Sequence, residues 1–155
     1  MIFTDETVDP FFLAGLAVSV ALSISSIPFL VPISEVRVTK IDGKFVVNPT
    51  PAEAEKAELN IILAGTIDNI LMVEGEAKEA SEEDLIEAIK VGHEVIIKQC
   101  NAQIELKEKC GKPKREVAAP EEYEILKQKI KDFAEESIKA IALSAMGKHE
   151  RKAAL

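Results

Sequence analysis

A chain of 155 residues, 47% apolar and 30% charged, holds enough apolar material for one ordinary core with a small appendage, and too much for a disordered segment. Its 27 acidic against 19 basic residues leave a formal net charge of -8, which opposes independent binding to nucleic acid, because that affinity rests largely on cations displacing condensed counterions. Two cysteines without a Cys-x-x-Cys spacing exclude a disulfide scaffold and a zinc cluster, and point to a reducing, cytoplasmic setting.

The first element is the apolar run from Phe11 to Ile33. It approaches the roughly 20 residues that cross a bilayer, but Pro28 and Pro32 interrupt it, Ser19, Ser23, Ser25 and Ser26 lie within or beside it, and no Lys or Arg flanks its start. Asp5, Glu6 and Asp9 stand where a secretory signal would be positive. No membrane association is expected. The run reads as a helix from about Pro10 to Ser25, buried on nearly all sides, with Ala14, Gly15, Ala17 and Ala21 allowing close approach to a sheet.

Val36 to Ile41 alternates as a strand with one buried face, and Asp42-Gly43 supplies the turn before a second strand from Lys44 to Val47. Pro49 and Pro51 end that strand, and Ala52 to Glu58 is polar enough for an exposed connection or a short helical turn. Ile61 to Ala64 and Ile70 to Val73 are short continuous apolar runs, predicted as strands covered on both faces, with Gly65 to Asn69 as a second hairpin link.

Ser81 begins the clearest helix, with Asp84 in the capping-box position and Glu82 and Glu83 at the positive end of the dipole. Leu85, Ile89, His93, Ile96, Cys100 and Ile104 recur at helical spacing, widened by Ile86 and Ile97, and predict the buried stripe; Gly111 and Pro113 end the helix. On it, Cys100 and Cys110 would stand about 15 Å apart along the axis, too far for a disulfide. Pro120-Glu121-Glu122 opens another helix with Leu126, Ile130, Phe133 and Ile141 near one face and Gly147 closing it, and Lys148 to Leu155 reads as the first turns of a further helix.

Three strand ends in this order, Asn48-Pro49-Thr50, Ala64-Gly65-Thr66 and Met72-Val73-Glu74, the last before an acidic helix, resemble the second half of the first RNase PH-like unit in the bacterial polynucleotide phosphorylase family. Gly92-His93-Glu94 and Gly111-Lys112-Pro113 fall where that family places them. Leu30-Val31 departs from it, standing where relatives carry Asn-Gly. The resemblance implies an α+β fold: a partial RNase PH-like unit with a mixed sheet and covering helices over residues 1–111, then the start of an all-helical linker over 112–155. It further implies an internal piece of a longer phosphate-dependent 3'-to-5' exoribonuclease that degrades RNA to nucleoside diphosphates in mRNA turnover. Mg2+ and inorganic phosphate are implied for that parent enzyme, none of them held by this segment. RNA through the parent, the missing halves of the same protein and a homotrimeric ring are the implied partners.

No catalytic, cofactor-binding or metal-binding residue is assigned. His93-Glu94 makes a poor dyad, because adjacent helical residues point about 100° apart, and His93 reads as a partly buried histidine bonded to a neighbour. His149 sits among charged residues and reads as solvated. Glu74, Glu76 and Glu79 read as a solvated acidic face rather than a magnesium site, and Gly65-Thr66 as a tight turn, since the glycines and lysine of a phosphate cradle are absent around it. Lys107, Lys109, Lys112, Lys114 and Arg115 form the sole basic cluster, and cations near a helix C-terminus already have a structural reason to be there. The alternative from another class is a stand-alone, non-catalytic assembly or scaffold protein.

Overall fold

The structure is a computed structural model that describes residues 7–118 and 123–155. Two compact units divide the chain, Met1–Val117 and Ala118–Leu155. In the first, Asp42 and Gly43 take φ values of 48° and 73°, the left-handed pair that a two-residue hairpin turn requires. They join β1 (Ser34–Ile41) to β2 (Lys44–Val47), with Ile41 opposite Lys44. The chain then makes one helical turn, α2 (Pro51–Ala54), closed by a capping box between Thr50 and Glu53. It returns as β3 (Leu59–Gly65) and β4 (Ile70–Ala77), giving the sheet order β2-β1-β3-β4.

The α+β class is as the sequence implies, but the sheet expected to be mixed pairs only antiparallel among the described strands. The two long helices of this unit, α1 (Pro10–Ile24) and α3 (Glu82–Cys110), stand before β1 and after β4. Neither can therefore serve as the crossover that parallel neighbours need.

Val36 and Val38 of β1 and Leu59, Ile61 and Leu63 of β3 point to one face, where Ala88, Ile96 and Cys100 of α3 complete the core. Burial pushes the Cys100 thiol up in pKa, and Cys110 is exposed; both are free. Ser81 caps α3 by accepting from the Asp84 N–H at 3.1 Å. The buried line of this helix is Ala88, Gly92, Ile96, Cys100 and Gln103, which corrects the predicted stripe. Ile96 and Cys100 hold, Ile89 is half-buried, and Leu85 and Ile86 are exposed. The helix approaches the sheet most closely where its side chains are smallest, so the large apolar residues flank the contact.

Asp9 caps α1 by accepting from the Phe11 N–H at 2.9 Å, and Pro10 stands at its first position. The helix contacts β1 and α3. The expectation of burial on nearly all sides is corrected: Phe12, Ser19 and Ser23 are buried, whereas Phe11 and Val18 are each 60% exposed and Ala14, Ala17 and Ala21 are also exposed. A single narrow strip of the helix is covered, and hydroxyls line it. Ser19 Oγ accepts from the Ile33 N–H at 3.0 Å, while Gln103 donates to the Ile33 carbonyl at 3.0 Å.

β4 likewise departs from the prediction of cover on both faces, since every residue from Leu71 to Glu79 is exposed. It is an edge strand, and α3 packs over β1, β2 and β3. β3 alternates buried with half-buried residues.

The second unit holds α4 (Glu124–Ala142) and α5 (Lys148–Ala154). The predicted start at Pro120-Glu121-Glu122 lies outside the described residues. Leu126, Ile130 and Phe133 of α4 are exposed and Ile141 is half-buried. Gly147 does not close α4, which ends at Ala142; with a φ of -63° it precedes α5 and its N–H donates to Glu150 at 3.1 Å.

Candidate functional site

His93, on α3, is half-buried, and its Nε2 lies 3.0 Å from the Thr66 carbonyl, so that nitrogen carries the proton and donates. Thr66 in turn organises the link between β3 and β4. Its N–H donates to the Asn69 carbonyl at 2.8 Å, and its Oγ1 accepts from the N–H groups of Asp68 and Asn69 at 3.3 and 3.1 Å. Gly65-Thr66 is thus a tight turn held by a histidine, and Glu94 is exposed beside it.

The basic cluster is divided in its duties. Lys114 Nζ donates to the carbonyls of Leu22, Ser23 and Ser25 at 2.9, 2.8 and 2.9 Å. These are carbonyls at the C-terminal end of α1, where the helix has no glycine to close it. The backbone N–H groups of Lys112 and Arg115 donate to Ile24 and Ser26 on either side. Desolvation, with the Lys107 charge nearby, lowers the pKa of Lys114. Sequence reasoning placed these cations at the end of α3; the end that Lys114 caps is that of α1, and the missing C-cap glycine of α1 was the available signal.

Arg37 was not singled out by the sequence, although an arginine on the alternate face of a Val-Arg-Val strand signals a paired role. Its Nη1 donates to Asn60 at 3.0 Å, its Nη2 meets Asp9 at 3.2 Å, and its guanidinium lies 5.4 Å from the Phe12 ring centroid. Arg37 therefore ties the first turn of α1 to the sheet. Its Nε is buried without a partner among the described residues.

Glu74 and Glu76 project from the same face of β4, opposite Ile62 and Asn60, while Glu79 follows the strand at a φ of 53°. Among the described residues no three His, Cys, Asp or Glu converge to hold a metal. His149 is exposed on α5. What the first unit presents instead is the open edge of β4 with a cleft on either side. Leu59, Ile61, Val73, Ala80 and Leu85 line the one towards α3, of about 340 Å³. Arg37, Asn60, Ile62, Glu74 and Glu76 line the other, of about 270 Å³. Gly75 keeps β4 in place between them, because a Cβ there would strike the Asn60 carbonyl and lie 2.7 Å from Ile61 Cα.

Residues 32–95, which carry all four strands and the first half of α3, match the model of the 3' exoribonuclease family, domain 2. This stretch belongs to the 3' exoribonuclease family. Beyond it, nearly the whole chain is similar to polyribonucleotide nucleotidyltransferases. The protein of that name from Parabacteroides distasonis is 53% identical over 146 residues, 94% of this chain and 20% of the relative. That from Bacteroides fragilis is 50% identical over 155 residues, 98% of this chain and 22% of the relative, and that from Geobacter sulfurreducens is 45% identical over 151 residues, 97% and 22%. The chain spans about a fifth of the length of the curated relatives it matches. No described helix is long and apolar enough to cross a membrane.

Proposed function

We propose that this chain serves as a structural, ring-forming part of a phosphate-dependent 3'-to-5' exoribonuclease that acts in the cytoplasm in mRNA turnover, and that the chemistry resides elsewhere in that enzyme. In phosphorolysis an oxygen of inorganic phosphate attacks the terminal phosphodiester, the bond to the next ribose oxygen breaks, and a nucleoside diphosphate leaves. Such a reaction needs donors aimed at the attacking phosphate and a cation against the charge that develops.

The observation that carries the non-catalytic reading is the engagement of three polar groups of the first unit. His93 is spent on the Thr66 turn, Lys114 on the end of α1, and Arg37 on Asp9 and Asn60. A divalent metal does not fit the carboxylates present, since Glu74 and Glu76 find no third ligand among the described residues, and no step is routed through one. RNA and a trimeric ring belong to this proposal as partners of the whole enzyme. Incubation of the purified chain with a short RNA, phosphate and magnesium tests it. No nucleoside diphosphate release above a mock preparation is expected, and release that tracks the chain through purification overturns the reading.

A further inference from the structure

The edge of β4 has two chemically distinct sides. Strand alternation places Val73, Gly75 and Ala77 towards α3, and Met72, Glu74 and Glu76 towards the opposite face, because Val73, Gly75 and Ala77 pair with the core residues Leu63, Ile61 and Leu59 while Glu74 and Glu76 pair with Ile62 and Asn60. No strand pairs with the outer edge of β4 among the described residues. The side chains there are unusual for an edge left to solvent: Leu71 is 58% and Val73 45% exposed, and no lysine or proline protects the strand itself.

We propose that the outer edge of β4 is a docking site for an extended segment of another polypeptide in which apolar residues alternate with Lys or Arg. Such a segment adds as a fifth strand. Its apolar side chains enter the cleft bounded by Val73, Ala80 and Leu85, and its basic side chains lie in the row of Glu74 and Glu76 on the other face. Charge complementarity selects this occupant. Neither carboxylate forms an ion pair among the described residues, and the one cation in their cleft, Arg37, is already held by Asp9 and Asn60. A second copy of β4 is disfavoured, because a shared sheet would carry the carboxylates of both copies on one face. This inference concerns the edge alone and does not depend on the activity of the larger enzyme.

Fluorescence anisotropy with a labelled Lys-Val-Lys-Val-Lys-Val-Lys peptide, and amide shifts of the isotopically labelled full chain, test the site. Binding that shifts Leu71 to Ala77, and fails for a peptide with Glu in place of Lys, is expected. Methylating the peptide nitrogens on one edge should abolish binding while methylating the alternate set leaves it intact, the signature of strand addition. Glu74→Lys with Glu76→Lys, both exposed and so compatible with folding, should weaken binding about tenfold or more by turning two attractions into repulsions. Four results overturn the proposal: absence of binding, equal binding of the Glu peptide, shifts that map away from β4, or tolerance of both methylated sets. Light scattering that shows copies of the chain pairing through β4 assigns the edge to self-association and overturns it as well.

Discussion

Gly92 and Val38 stand so close that a Cβ built on the glycine would lie 2.8 Å from the valine Cγ2, and closer still to Leu63 Cδ1. Both neighbours are wholly buried, so neither can swing into open space. An alanine gains about 1 kcal/mol of helix propensity, but overpacking a filled core costs about 1–3 kcal/mol. Gly92→Ala should therefore be mildly destabilising, and Gly92→Val should lose about 3 kcal/mol, since a branched side chain adds the clash and forfeits propensity. Urea denaturation of the two variants checks the order, and a stabilised Gly92→Val would show that α3 crosses the sheet elsewhere.

Lys114 closes α1 from a distant part of the chain, so its effect should be regional. Lys114→Met is expected to lower the melting temperature and to speed hydrogen exchange at the amides of the last turn of α1, leaving the β1–β3 amides protected. Lys107→Met, which removes a neighbouring charge without removing a cap, should leave that exchange unchanged. Equal exchange of α1 in wild type and Lys114→Met would contradict the capping role.

Lys40 and Asp84 link β1 to the first turn of α3 through a 2.7 Å ion pair. The Lys40 ammonium holds the Asp84 carboxyl below its usual pKa, assisted by Ser81. A carboxyl lowered in the folded state contributes stability above its unfolded pKa, about 3.9, and loses it as pH falls through the lower folded value. Stability measured from pH 5 downwards should fall less steeply in Lys40→Met than in the wild type, and at neutral pH the variant should be the less stable. Parallel acid profiles would rule the pair out as a contributor.

The backbone was more legible in the sequence than the burial. Asp42-Gly43 named its turn, because few residue pairs accept two positive φ values, and Ser81 named the start of α3, because a hydroxyl before acidic residues has one good use. The line of contact on α3 was misread for a physical reason. Apolar periodicity ranks residues by size, whereas Ala88 and Gly92 are buried because their smallness lets the helix approach. The apolar content of α1 and β4 records an affinity for cover but not where cover lies, so Phe11, Val18, Leu71 and Val73 were predicted buried and stand exposed. Among candidate groups, His93 read correctly as bonded to a neighbour, since an isolated histidine on an apolar stripe needs a partner. Arg37 escaped, and Lys114 was assigned to the end of α3 rather than of α1, because their partners, Asp9, Asn60 and the carbonyls of Leu22 to Ser25, are distant in sequence.

The central claim, that this stretch shapes an exoribonuclease without performing its chemistry, is tested most directly in a chimera. The matched part of the Parabacteroides distasonis polyribonucleotide nucleotidyltransferase is replaced by this chain, with and without His93→Gln, Glu74→Gln and Glu76→Gln, and phosphate-dependent release of nucleoside diphosphates is measured. All versions are expected to assemble and to turn over within about twofold of one another, because removing a catalytic acid or base typically costs about a hundredfold or more. A hundredfold fall in kcat on replacing any of the three, in a chimera that still folds and assembles, would contradict the account.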